Sequence, residues 1–139
     1  MKRKLAGRPG RVAIWVLLLA AAGGLFVLAV SDSVYDATSP GTLPHHVIVR
    51  KLYSLVCFTL LGLLFGRSLG PSSLVACVAR ASAAVGAYST LVEIGQHLAG
   101  SHESIKWNLV DICIGAVGGA LGGAIDWLWS AVRAPAKHL

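Results

Sequence analysis

Four long apolar stretches, separated by short polar breaks, set the pattern of this chain. Residues 12–30 are apolar without interruption, and 47–66, 74–98 and 107–132 carry only a few charges each. Each is long enough for a helix to cross a hydrocarbon layer about 30 Å thick. The breaks hold turn formers: Pro40, Gly41 and Pro44, then Gly70 and Pro71, then Gly100. The pattern predicts an all-α protein, a four-helix transmembrane bundle spanning residues 12–132. A basic leader at 1–11 and a tail at 133–139 flank it. A cleaved signal peptide would carry an apolar core of about 7–15 residues. The run at 12–30 exceeds that, so it is read as a retained span.

Within this pattern the polar and small residues are placed regularly. The third stretch carries Ser82, Gly86, Ser89, Glu93 and Gln96 at spacings of 4, 3, 4 and 3. The fourth carries Asn108, Asp111, Gly115, Gly118 and Gly122 at 3, 4, 3 and 4. Both spacings keep residues on one helical face. Glu93 and Asp111 each lie nine residues from His102, so an antiparallel hairpin brings the two carboxyls to about the same depth. Carboxyls among Leu, Val, Ile and Ala are costly, and by default they mark a functional site. Gly115, Gly119 and Gly123 form successive GxxxG steps, and Gly118 and Gly122 form another. Such glycines let helix backbones approach closely in lipid. Their expected partners are Ser82, Gly86 and Ser89, with a seam to a second copy as the alternative.

Composition sharpens this picture. Of 139 residues, 55% are hydrophobic and 13% charged, about half the charge fraction of a soluble domain. The net charge of +6 does not indicate nucleic acid, because the basic residues flank apolar spans and form no basic and aromatic stretch. Four spans place both termini on one side. Nine Lys and Arg fall on that side and three (Arg50, Lys51, Lys106) on the other, which orients both termini to the cytoplasm. Cys57, Cys77 and Cys113 lie within spans and form no CxxC pair. They read as small apolar residues rather than as a disulfide framework.

In this topology the unusual residues gather at the non-cytoplasmic end: Lys51, Glu93, Gln96, His102, Lys106, Asn108 and Asp111. Two carboxylates at one depth need a proton or a cation between them, and Lys51 is the expected counter-charge. Arg50, about 100° round the helix, is expected to reach the headgroups, and Asp126 reads as an interfacial residue at the opposite end. The same cluster has two readings. It either holds three helices in register or binds a ligand. Glu93 and His97 are spaced i, i+4, but no HExxH motif, nucleophile elbow or phosphate-binding glycine loop is present. Neither a catalytic set, a metal site nor a cofactor is therefore assigned.

The order Glu93-Ile-Gly-Gln96, a short polar loop, then Asp111 followed by Gly115 and Gly118, resembles the VanZ-like family of small bacterial membrane proteins. The resemblance covers about residues 45–126, with Lys51 matching a lysine near the start of an earlier helix. Arg50 stands where that family has Asp, Ser54 where it has His, and Gly115 where it has Asn. The resemblance implies a multi-pass protein of the bacterial plasma membrane with a polar cluster at the outer leaflet. The family takes its name from a protein giving low-level resistance to the lipoglycopeptide teicoplanin. Three functions follow as expectations. The first is a non-enzymatic protein whose outward pocket binds an envelope lipid headgroup, a lipoglycopeptide or a cell-wall precursor. The second is a structural subunit paired with another membrane protein or a second copy. The third is a lipid-modifying enzyme using Glu93 or Asp111 as general base.

Overall fold

The computed structural model describes residues 8–31, 46–70, 72–100 and 104–133. Among these residues the protein is entirely helical. Its helices are α1 (Arg8–Val30), α2 (His46–Leu69), α3 (Leu74–Leu98) and α4 (Ile105–Arg133). All four are long and apolar enough to cross a membrane. Residues 1–7, 32–45, 71, 101–103 (with His102) and 134–139 lie outside the described residues. The spans run a little past the apolar stretches, since α1 begins within the basic leader and α2 continues through Arg67.

The helix ends are set by local chemistry. Past the last residue of α2, Gly70 takes φ +85° and its N–H donates to the Gly66 carbonyl at 3.2 Å. Left-handed backbone of this kind suits glycine at a helix C-terminus. Ser73 then caps α3, its hydroxyl accepting from the Ala76 N–H at 3.3 Å. Inside the apolar helices, hydroxyls turn back on their own backbone, as Thr59 does to the Leu55 carbonyl and Thr90 to the Gly86 carbonyl. This satisfies a polar group where lipid supplies no partner.

Large apolar side chains such as Leu19, Val56, Leu91, Leu109 and Val132 are exposed, while the centre holds small residues. Lipid accounts for both features: outward leucines lose nothing there, and inward packing depends on close backbone approach. The glycines of α4 divide between two neighbours. Gly115, Gly119 and Gly123 face α3, where an added Cβ would meet Ser89, the Ala81 carbonyl and the Cys77 carbonyl. Gly118 and Gly122 face α2, against Phe58 and the Thr59 carbonyl. Positions 118 and 119 lie about 100° apart on a helix, so adjacent glycines serve different partners. This corrects the expectation that one stripe meets α3 alone.

The partner face on α3 is also displaced by one residue. It runs Cys77, Ala81, Val85 and Ser89, all buried, rather than Ser82, Gly86 and Ser89. Gly86 meets Ala116 at an ordinary 3.4 Å, and Ser82 is only partly buried. Gly119 lies where three helices converge, because a Cβ on Gly62 of α2 would come within 2.7 Å of its carbonyl. All five α4 glycines are thus engaged within the chain, which leaves none of them for a seam with a second copy.

Helix α1 leans on α2 and α3 through Leu18, which joins Phe58, Leu61 and Val85 in the buried core. Polar contacts along its length fix it further. Tyr88 Oη donates to the Ala22 carbonyl at 2.6 Å, and Arg11 Nη2 to the Leu69 carbonyl at 3.1 Å.

A polar pocket at one end of the bundle

Two charged layers lie at opposite ends of the helices. The first forms where α2 begins, α3 ends and α4 begins. Lys51 on α2 pairs with Asp111 on α4, and its Nζ also stands 5.4 Å from the centre of the Trp107 ring. Asp111 is held from the backbone side too, since Ser89 Oγ donates to its carbonyl at 3.0 Å. Glu93 is buried on α3, at 8% exposure. With its amide turned so that the nitrogen faces Glu93, Asn108 donates to Glu93 Oε2 and to the Ser104 carbonyl, both at 3.3 Å. That orientation satisfies both ends of the amide.

These groups border a pocket of about 200 Å³. Its polar wall comprises Arg50, Lys51, Glu93, Gln96 and Asp111, with Ser54, Cys57 and Tyr88 deeper in. Leu25, Leu28 and Ala29 of α1 close the apolar side, with Phe58 and Val92 opposite. Leu28 and Tyr53 line the pocket yet are 50% and 63% exposed, so it opens sideways between α1 and α2.

Of the residues singled out in the sequence, Lys51, Glu93, Gln96 and Asp111 line this pocket, and Asn108 supports it through Glu93. The geometry differs from expectation in several places. Lys51 pairs with Asp111, and Asn108 donates to Glu93. Gln96 does not complete the carboxylate network; its Nε2 donates to the Ala29 carbonyl of α1 at 2.9 Å. Lys106 is exposed in the first turn of α4, outside the pocket wall. Arg50 lines the pocket rather than only reaching outward. Its spacing with Ser54, Cys57 and Leu61 follows one helical face, a signal present in the sequence. Cys113 is exposed on α4, while Cys57 is partly buried at the pocket. No group of three His, Cys, Asp or Glu side chains suited to a metal occurs among the described residues.

The second layer lies where α1 begins, α2 ends and α4 ends. Asp126 is buried at 4% exposure and pairs with Arg67 Nε at 3.3 Å, a partner not anticipated from the sequence. Its carboxyl fills the space left by the missing side chain of Gly66, where a Cβ would meet Oδ2 at 2.9 Å. The Gly66-Arg67 dipeptide at the end of an apolar span, facing an acid in the last helix, was the available clue.

Comparison with protein-family models, curated proteins and solved structures gives no match. The chain's own fold and site define its class, a multi-pass membrane protein built as a four-helix bundle. One end of that bundle holds a charged pocket bordered by lipid-compatible walls.

Proposed function

We propose that this is a non-enzymatic VanZ-like membrane protein whose pocket binds the headgroup of an envelope lipid. The observation that carries this reading is the division of one pocket into a charged wall and an apolar wall, with an opening between α1 and α2. An amphiphile diffusing in the membrane would enter sideways, place its headgroup against Arg50, Lys51 and Gln96, and leave its chain along Leu25 and Leu28. A cavity of about 200 Å³ is smaller than sites that enclose drug-sized ligands, about 300–1,000 Å³. A headgroup fits it better than an entire lipoglycopeptide. Lys51 already neutralises Asp111, and Asn108 engages Glu93, arrangements that serve binding and rigidity more than proton transfer.

The excess of basic residues on the side shared by both termini would direct this pocket to the outer leaflet of a bacterial plasma membrane. There it would meet envelope lipids, cell-wall precursors and teicoplanin-type compounds. Ser54→Trp narrows the pocket while leaving every charged residue that lines it in the sequence. Lipid co-purifying in mild detergent should fall with that variant while the protein stays helical and folded. Expression of the wild type, but not the variant, should alter teicoplanin susceptibility. Unchanged lipid content together with unchanged susceptibility would remove the reading.

A further inference from the structure

The second charged layer has a use that the pocket does not supply. Two arginines lie against one indole: Arg67 Cζ is 5.2 Å from the centre of the Trp129 ring, and Arg133 Cζ is 4.6 Å from it. The two cations therefore stand within a Debye length of each other, about 10 Å at ordinary salt. The negative face of the ring offsets part of their repulsion. Among the described residues, Asp126 is the acid that pairs with either guanidinium, and it meets Arg67 at Nε. No carboxylate among the described residues pairs with the Arg133 guanidinium. Arg11 adds a third guanidinium to this end, donating to the neutral Leu69 carbonyl. Among the described residues these three arginines outnumber the one acid by two charges, and Arg80 adds an exposed cation near the same end.

We infer that Arg67, Trp129 and Arg133 form a binding site for the phosphate of an anionic phospholipid. The site is separate from the pocket and lies at the opposite end of the bundle. A phosphodiester accepts paired N–H bonds from guanidinium in planar geometry. Placed between the two arginines, it would cancel a repulsion that the protein leaves only partly balanced. The setting favours a lipid over a free ion. The indole stands at the end of a membrane-spanning helix, where such rings lie at headgroup depth. Leu128 and Val132, exposed beside it on α4, offer apolar surface for acyl chains. Asp126, buried beneath Arg67, fixes one half of the site in place, so the cradle exists before the lipid arrives.

Native mass spectrometry of the full chain in mild detergent tests this, with phosphatidylglycerol and phosphatidylcholine of matched chains as probes. Arg133→Gln removes an exposed side chain and should leave the melting temperature unchanged. It should weaken phosphatidylglycerol retention about tenfold, the loss expected from one charge-assisted contact. Arg80→Gln, an exposed charge near the same end, should leave retention at the wild-type level. The inference is overturned if Arg80→Gln weakens retention as much as Arg133→Gln, since net charge would then explain the effect. Equal retention of the two lipids overturns it too. So does displacement of the lipid by millimolar inorganic phosphate, which would make the site one for the free ion.

Discussion

A charged side chain inside a bundle of leucines is tolerated only with a partner, and the Lys51–Asp111 and Arg67–Asp126 pairs differ in how evenly they are buried. In the Lys51–Asp111 pair both side chains keep 15–19% exposure. Lys51→Met should cost roughly 3 kcal/mol, the low end for breaking a buried pair, because Asp111 stays behind uncompensated. Converting both residues to apolar ones of similar volume should recover most of that loss. Thermal unfolding of the three proteins in detergent checks both outcomes. In the second pair Arg67 is 33% exposed and Asp126 only 6%. Removing the arginine strands a buried acid, whereas removing the acid leaves a cation that water can reach. Arg67→Met should therefore destabilise by roughly 3 kcal/mol, and Asp126→Ala by about 1 kcal/mol. Equal losses would show that the two ends of this pair share one environment.

At the scale of the helices, the packing of α4 sets which glycines matter. A Cβ on Gly122 would run into the Thr59 carbonyl and the Leu63 amide, both backbone groups that cannot swing aside. Gly122→Ala should cost about 1–3 kcal/mol as overpacking. Gly86→Ala meets only the Ala116 Cβ at 3.4 Å and should be neutral, or stabilising by about 0.5–1 kcal/mol through reduced chain entropy. Comparing their unfolding midpoints separates a seam from a mere stripe of small residues. The four helices were legible in the sequence because length and apolarity alone specify them; 74–98 coincides with α3 to the residue. The identity of the facing side chains was not. Ser82 and Ala81 differ by one position, and a face read from polarity favours serine, while the contact itself selects whichever small residue turns inward. Asp126 was missed for a related reason. Its neighbours Trp127 and Trp129 suggest an interface, and only the approach of α2 reveals a partner for it.

For the molecule as a whole, the disposition of the two charged layers predicts a topology. In a background without native thiols, Ser104→Cys should react with a membrane-impermeant maleimide added outside intact cells. Arg133→Cys should react only after the cells are permeabilised. The reverse pattern would place the pocket at the inner leaflet and remove envelope ligands from consideration. The pocket itself was partly readable in advance, since Glu93, Asp111 and Lys51 stand out against an apolar background. Its apolar wall on α1 was not, because Leu25, Leu28 and Ala29 look like any lipid-facing stretch until α1 is seen beside them.

The division of the α4 glycines between two neighbours also bears on biogenesis. The ribosome delivers the helix that α2 and α3 both grip after those two have already entered the bilayer. Until then their closest-fitting surfaces face only lipid, so a nascent product ending at Gly100 should be cleared by membrane proteases. Maturation would then depend on the final segment sliding between two waiting ones.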